Sequence, residues 1–163
     1  MMKTLESYKL TGSKFVVYLM VGIPGSGKST WIKENQPKLP VVSRDIIRAK
    51  LGFTSSVDEK AVLTSGQERQ VTTEEYFQIA KLCKKNQSFI IDDTNTGRYR
   101  KDMISFLKGY GATVVGVNME TPLEICINRR KGDISEFAMR AIARKFIPLG
   151  SKEVDDIINV KGY

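Results

Sequence analysis

Histidine is absent from this sequence of 163 residues. A general base would therefore have to be a carboxylate, a lysine, a tyrosine or a cysteine, and metal sites with histidine ligands are excluded. Cysteine is scarce: Cys83 and Cys126 lie far apart, each within an apolar pattern of helical spacing. This spacing excludes a disulfide framework and a zinc site built from cysteines.

Long hydrophobic runs are also missing. No apolar stretch approaches the length that crosses a membrane. Residues 1–14 are polar and of mixed charge, without the apolar centre of a secretory signal. We therefore expect a cytoplasmic protein with no membrane partner.

Acidic residues are outnumbered, with 18 Asp and Glu against 26 Lys and Arg, giving a formal net charge of +8. A basic balance favours polyanions such as nucleic acid as partners, although surface lysines also serve solubility. The length and a hydrophobic fraction of 41% suit one compact core. With no repeat, low-complexity tract or linker, we predict a single domain over residues 1–163.

Apolar runs alternate with segments of helical periodicity. The runs predict five strands: 15–21, 40–43, 88–91, 113–119 and a short 157–160. The helical spacing predicts four helices: 29–34, 72–83, 121–132 and 139–146. Thr72 and Glu75 are spaced as a capping box. Residues 54–66 show the least pattern and are predicted to be a loop or a mobile helix. The alternation predicts an α/β fold, a three-layer sandwich around a parallel sheet of four to five strands.

A phosphate-binding loop follows the first predicted strand, where residues 22–29 match G-x-x-x-x-G-K-[ST] in full. Its glycines let backbone N–H groups point at the β-phosphate. Lys28 would reach the β- and γ-phosphates, and the Ser29 hydroxyl would bind Mg²⁺. The motif predicts a site for ATP, or another nucleoside triphosphate, and Mg²⁺, formed by Gly22, Pro24, Gly25, Ser26, Gly27, Lys28, Ser29 and Thr30.

Asp45 follows the second predicted strand. Because the carboxyl ends of parallel strands share one edge, its carboxylate should face the γ-phosphate and could accept a proton from an attacking hydroxyl. Aspartate is also a favoured helix N-cap, so both interpretations stay open. Arg48 lies one helical turn further on the same face, a position suited to a phosphate beside the acceptor hydroxyl.

Two aspartates, Asp92 and Asp93, end the third predicted strand. A carboxylate there can reach Mg²⁺ directly or through water. Since successive strand residues point to opposite faces, only one of them should face the site. The alternative is that both simply end the strand and cap the next helix.

Three segments together resemble the kinase module of the phage polynucleotide 5′-hydroxyl kinase family: residues 22–30, 42–48 and 90–100. The resemblance extends from Phe15 to about Phe146. It implies a P-loop kinase fold and transfer of the ATP γ-phosphate to a 5′-hydroxyl of DNA or RNA. It also implies a phage gene acting in the host cytoplasm, with a separate phosphatase or ligase as partner.

The resemblance also implies roles for single residues. It makes Asp45 the general base, assigns Arg48 to the phosphate beside the acceptor, and favours Asp93 over Asp92 as a metal ligand together with Ser29. The acceptor site would contain Arg44, Arg48, Asp93, Thr94 and Asn95.

The family carries catalytic arginines on a lid, which we expect here at about 129–136. Arg129 and Arg130 would offset charge on the transferred group, together with Lys28. The segment is shorter than the family pattern, which leaves the second arginine without a clear counterpart. Basic residues in a last helical turn before Gly132 are also what the helix dipole favours.

The acceptor is the least determined feature. Residues 98–101, Arg-Tyr-Arg-Lys, suit a nucleic-acid backbone with base stacking, although a solvated helix face gives the same pattern. The alternatives are a kinase for a nucleoside or another small molecule, a kinase for a modified base within DNA, and a nucleotide-binding module without an acceptor. The lack of an N-K-x-D motif, and the Asp45–Arg48 pairing, favour a kinase over the last alternative.

Overall fold

The structure, a computed structural model, describes residues 7–8, 12–53 and 63–161. At its centre lies a parallel sheet of five strands: β1 (Val16–Val21), β2 (Val41–Val42), β3 (Phe89–Ile91), β4 (Thr113–Met119) and β5 (Asp156–Val160). The spatial order is β2-β3-β1-β4-β5, which puts β1 in the middle. Its six residues are apolar and fully buried because both faces of a parallel sheet are covered. The predicted α/β class and parallel sheet are confirmed.

Six helices accompany the sheet in the described ranges: α1 (Lys28–Asn35), α2 (Arg44–Lys50), α3 (Ser65–Lys84), α4 (Gly97–Gly109), α5 (Leu123–Arg129) and α6 (Glu136–Lys145). The odd-numbered side chains of β1, such as Leu19, pack with Ile79 of α3 and Leu107 of α4. The even-numbered ones, such as Tyr18, pack with Trp31 of α1. The alternation along one strand thus builds the three predicted layers.

Helix α3 begins earlier than predicted. Thr64 caps it: its hydroxyl accepts a hydrogen bond from the Gln67 backbone N–H at 3.1 Å, and the Gln67 side chain accepts one from the Thr64 N–H at 2.9 Å. The predicted start at Thr72 is wrong, because Thr72 lies inside the helix and its hydroxyl donates to the Glu68 carbonyl. Both pairs fit the same capping-box spacing, so spacing alone does not select between them.

The segment 54–66, predicted to be a loop or a mobile helix, lies mostly outside the described residues, and its last two residues belong to α3. Within the described ranges, every helix is too short or too polar to span a bilayer.

Candidate active site

A cavity of about 1510 Å³ opens where β1, β2 and β3 end. Its walls come from the phosphate-binding loop, the first turns of α2, one face of α3, the segment that follows β3, and both sides of the α5–α6 connection. Sites for a single small ligand usually measure about 300–1,000 Å³. The cavity therefore has room for a nucleotide and an acceptor side by side.

The phosphate-binding loop is held in a conformation that only glycine allows at two points. Gly25 and Gly27 have φ angles of 80° and 95°. A Cβ on Gly25 would also lie 2.8 Å from the Cys126 carbonyl oxygen, so α5 packs directly against the loop. The buried Thr121 hydroxyl donates to the Ser26 carbonyl at 2.8 Å. Thr121, which the sequence suggested only as part of a helix start, thus fixes the loop from the end of β4.

Lys28 lies in the floor of this loop. Its ammonium donates to the carbonyls of Gly22 at 2.9 Å and Ile23 at 3.1 Å. Burial lowers the pKa of Lys28, an effect opposed by the charges of Asp92, Asp93 and Asp45. An anion bound in the loop would favour the charged amine further.

The carboxylate beside Ser29 is that of Asp92, and not of Asp93, which the resemblance favours for this place. The Ser29 hydroxyl donates to Asp92 Oδ2 at 3.3 Å, and burial raises the pKa of Asp92. A hydroxyl and a carboxylate are the hard oxygen donors that Mg²⁺ prefers. The described ranges contain no group of three or more acidic, histidine or cysteine side chains that could hold a metal ion. Mg²⁺ would therefore be held by Ser29 and Asp92 together with nucleotide phosphates.

Asp93 points the other way, as strand alternation requires. Its Oδ1 accepts a hydrogen bond from the Arg44 backbone N–H at 2.9 Å, which caps α2 from outside the helix. Its Oδ2 is buried, and Glu75 is the neighbouring side chain that can share a proton with the carboxyl group. Burial and the neighbouring Glu75 carboxylate raise the pKa of Asp93 well above its ordinary value. Asp93 thus stabilises the helix that carries Asp45.

Asp45 is the second residue of α2, and it lines the same cavity as Lys28. The N-cap position belongs to Ser43, so the N-cap interpretation of Asp45 is wrong. The carboxylate is 72% exposed and forms an ion pair with Arg48 at 2.9 Å. Its negative charge raises the pKa of Lys28 and of Asp92, although burial has the larger effect on each.

The two arginines of α2 have different surroundings. Arg44, predicted in the acceptor site, extends its guanidinium to α3, where it pairs with Glu68 and Glu75 at 2.7 Å each. Arg48 bridges Asp45 and Glu68, with its Nη2 at 3.3 Å from Glu68. The Arg48 Nε is buried without a hydrogen-bond partner among the described residues. Sequence reasoning missed Glu68 and assigned Glu75 only to a capping box, because both lie about 20 to 30 positions from their arginine partners.

Thr94 and Asn95, predicted in the acceptor site, both line the cavity, and the Asn95 side chain is held by the end of β1. Its side-chain amide donates to the Met20 carbonyl at 2.8 Å, and its φ angle is 48°. The Gly22 N–H donates to the Thr94 carbonyl at 3.2 Å. These bonds join the segment after β3 to the start of the phosphate-binding loop.

The predicted lid, 129–136, is the short connection between α5 and α6. Arg129 donates from Nη1 to the Gly25 carbonyl at 3.1 Å, so its guanidinium lies on the phosphate-binding loop. Arg130 lines the same cavity and its Nε is buried, with no hydrogen-bond partner in the described part of the chain. Both arginines are therefore close to where phosphates would bind.

Comparison with known proteins supports the fold. No curated protein has a sequence that matches this chain. A chain of a Pnkp1/Rnl/Hen1 complex superposes with a TM-score of 0.59 at 26% identity, over 69% of this chain and only 38% of that chain. Two others show the fold alone. A sugar kinase from Janibacter sp. HTCC2649 has a TM-score of 0.63 at 13% identity, over 91% of this chain and 87% of that one. Kti12 from Chaetomium thermophilum, in complex with ADP-AlF3, has a TM-score of 0.60 at 12% identity, over 88% of each.

A family whose description is "AAA domain" matches residues 17–132, which is more than half of the chain. The matched span runs from β1 through the phosphate-binding loop and Asp45 to the arginines after α5. With this loop at the end of the central strand of a parallel sheet, the domain is P-loop kinase-like. The chain belongs to the AAA domain family.

Proposed function

We propose that this protein is an ATP-dependent polynucleotide kinase that transfers the γ-phosphate to a 5′-hydroxyl of DNA or RNA. One observation carries the proposal: a single cavity contains both the phosphate-binding loop with Lys28 and the Asp45–Arg48 pair. A nucleotide-binding module without an acceptor would need the first feature and not the second. A kinase needs both in one volume.

The donor half of the cavity would hold the triphosphate. The loop amides and Lys28 would contact the β- and γ-phosphates, and Lys28 would exchange the Gly22 and Ile23 carbonyls for phosphate oxygens. Ser29 and Asp92 would hold Mg²⁺, which supplies neutralisation of the charge on the β- and γ-oxygens. Arg129 and Arg130 would contact the transferred group from the lid side.

The acceptor half would bring a hydroxyl to Asp45. A bond forms between the hydroxyl oxygen and the γ-phosphorus while the bond from that phosphorus to the β,γ-bridging oxygen breaks. The hydroxyl proton passes to the Asp45 carboxylate. The Arg48 guanidinium would exchange its ion pair with Asp45 for one with a phosphate of the acceptor. Its Nη2 would stay paired with Glu68.

A polynucleotide is the acceptor class that several observations favour. The Pnkp1 chain, at 26% identity, comes from an assembly that is also described as an RNA repair complex. The three segments that resemble polynucleotide kinases include Asp45, Arg48 and the residues after β3. The formal net charge of +8 suits a polyanionic acceptor. The three segments and the overall charge thus all favour a polynucleotide acceptor.

The test is an acceptor panel with γ-labelled ATP and Mg²⁺. We expect label to pass to 5′-hydroxyl DNA or RNA oligonucleotides and not to matched oligonucleotides that already carry a 5′-phosphate. Transfer only to nucleosides or to sugars such as gluconate would replace the proposal with a small-molecule kinase. Release of free phosphate alone, with every acceptor, would contradict a kinase function.

A further inference from the structure

The wall of the cavity includes an aromatic side chain without an internal role. Tyr99 is 83% exposed, the highest value among the large exposed hydrophobic side chains of the described ranges, and it lines the cavity. It makes no hydrogen bond or ring contact with any residue that the structure describes. Single exposed aromatic side chains also occur elsewhere in the described ranges, at Phe77 and Phe137, and what distinguishes Tyr99 from them is its place in the cavity wall.

The backbone under Tyr99 is nevertheless firmly held. The next residue, Arg100, is only 1% exposed and pairs with Glu153 at 2.9 Å. Its guanidinium also donates to the carbonyls of Asn95 at 3.2 Å and Ile147 at 2.6 Å. The ring is therefore exposed on a fixed support, and binding a ligand would not require ordering of the backbone.

Lys145 is held next to the same helical turn. Thr96, the N-cap of α4, donates from its hydroxyl to the Lys145 carbonyl at 3.2 Å and accepts from the Ile147 N–H at 3.0 Å. These bonds join the end of α6 to the start of α4, one turn before Tyr99. The Lys145 side chain is exposed and lines the cavity with Tyr99. A flat apolar surface and a cation thus share one wall.

We infer that Tyr99 and Lys145 form a subsite for the acceptor strand, in which a base near the 5′ end stacks on Tyr99 and a backbone phosphate pairs with Lys145. The inference rests on the proposed function and specifies its substrate as single-stranded nucleic acid. Aromatic rings stack on any base and lysine pairs with any phosphate, so the subsite binds without sequence preference. A neutral sugar would leave Lys145 unpaired.

The first test compares steady-state kinetics for a single-stranded 5′-hydroxyl oligonucleotide. Tyr99→Ala should raise the acceptor KM about 5- to 150-fold, the range that one stacked base is worth, and leave the ATP KM unchanged. Tyr99→Phe keeps the ring and should behave like wild type. Phe77→Ala is the matched control, because Phe77 is 65% exposed but lies outside the cavity wall. An unchanged acceptor KM in Tyr99→Ala would overturn the inference.

The second test identifies the base as the partner. Single abasic sites are placed in turn at the first three nucleotides of the acceptor. At one of these positions, the abasic site should weaken acceptor binding to the wild-type protein about as much as Tyr99→Ala does. The same abasic site should not weaken acceptor binding to the Tyr99→Ala protein any further. Effects that simply add would show that the ring and the base do not touch, and would overturn the stacking.

A direct readout separates binding from activity. Tyr99→Trp adds an exposed indole to a chain whose single native tryptophan, Trp31, is 2% exposed. Stacking should quench the new emission when the oligonucleotide is added with a non-hydrolysable ATP analogue. Lys145→Gln should make the acceptor KM less dependent on salt, whereas Lys101→Gln, exposed on α4 and outside the cavity, should not.

Failure of this subsite and failure of the proposed function give different results. If wild type phosphorylates oligonucleotides and Tyr99→Ala does so equally well, the subsite is absent and the function stands. If wild type phosphorylates no oligonucleotide but does phosphorylate a sugar or a nucleoside, both the subsite and the proposed function are contradicted.

Discussion

Single carboxylates around the cavity differ in what they contact, and this decides what each can do. Asp45 is exposed to the cavity and forms an ion pair with Arg48, so its remaining lone pairs are accessible to an incoming hydroxyl. Asp92 contacts Ser29, and Asp93 accepts a backbone N–H. Of the three, Asp45 has the surroundings of a proton acceptor.

Asp45→Asn should lower kcat for phosphoryl transfer about 10²- to 10⁴-fold, the usual contribution of a general base. The amide has the same shape and cannot take the proton. ATP affinity should stay close to wild type, because Asp45 makes no hydrogen bond to the phosphate-binding loop. Single-turnover transfer and equilibrium binding of an ATP analogue measure the two effects. Near-normal turnover would exclude Asp45 as the base.

Asp92 and Asp93 should respond differently to the same substitution. Asp92→Asn removes a charged oxygen beside Ser29 and should raise the Mg²⁺ concentration for half-maximal rate by about tenfold or more. Asp93→Asn keeps an oxygen that can accept the Arg44 N–H and should leave the Mg²⁺ requirement unchanged. A Mg²⁺ titration of both variants shows which of the two aspartates affects the Mg²⁺ requirement. The reverse result would restore Asp93 as the metal ligand that the resemblance implies.

The roles of single residues could be predicted from the sequence only in part. The loop motif and the Asp45–Arg48 spacing were readable because both are local, and the ion pair follows from helical geometry. Strand alternation told us that Asp92 and Asp93 diverge but not which faces Ser29. That choice depends on the position of β3 beside β1, which is a property of the folded sheet.

At the scale of elements, α2 is held in place by α3. The link is the Arg44 guanidinium, which contacts Glu68, Glu75 and Thr72 across the gap. Glu75 is 4% exposed, so water has little access to its carboxylate and the Arg44 guanidinium is its main charged partner. Because Asp45 lies next to Arg44 in the chain, the link also fixes the candidate base.

Arg44→Ala should lower the free energy of unfolding by about 3 kcal/mol, because it leaves the Glu75 carboxylate buried and unpaired. We take the lower end of the range for such pairs since Arg44 is partly exposed. Urea unfolding measures the change. Arg98→Ala, at an exposed position on α4 without an ion pair to any described residue, is the control. Unchanged stability with a raised acceptor KM would instead support the predicted role of Arg44 in the acceptor site.

The segment from α6 to β5 is attached to α4 by Glu153. Burial would raise the pKa of Glu153, but hydrogen bonds from Arg100 and the Gly150 N–H, and the charges of Arg100 and Lys101, lower it below its ordinary 4.5. A lowered pKa means that the native state holds the charged form more strongly than the unfolded state does. The resulting stability is present above pH 4.5 and is lost as pH falls through the native pKa.

Glu153→Gln should therefore destabilise the protein at neutral pH by about 1 kcal/mol, since solvent screens part of a charge-assisted hydrogen bond at this position. The difference from wild type should shrink as the pH is lowered below 4.5, where Glu153 begins to be protonated in the unfolded chain. Urea unfolding across this range gives both values. A difference that is constant with pH would show that the ion pair contributes nothing.

Elements were predicted best where both faces are buried. The apolar run of β1 cannot be anything but a central strand beside a glycine-rich loop, and the structure agrees. The start of α3 failed because two capping-box spacings occur within one helix, at Thr64 and at Thr72. Val71, one residue before Thr72, is fully buried in the core, which favours the longer helix. Buried pairs such as Arg100–Glu153 join distant segments and leave no local signal.

At the scale of the whole molecule, the parallel sheet collects the chemistry at one edge. Strands β1, β2 and β3 end beside each other, which brings together Lys28, Asp45 and Asp92 from three separate segments. The cations at this edge belong to helices on either side: Arg69 from α3, Lys145 from α6 and Arg129 from α5. Under the proposed function, an acceptor strand bound in the cavity would lie near these cations.

This charge distribution predicts how salt affects the acceptor. For an oligonucleotide, log KM should rise with log salt concentration with a slope of about 0.7 for each phosphate contacted on a single strand. A nucleoside 3′-monophosphate offers one phosphate and should show a clearly shallower slope, while the ATP KM, measured in parallel, reports the effect of salt on the donor side. With 26 basic against 18 acidic residues, several contacts are available to the longer acceptor. Equal slopes for the two acceptors would mean that only the phosphate nearest the hydroxyl is bound, and that the cations at this edge do not extend the acceptor site beyond Arg48.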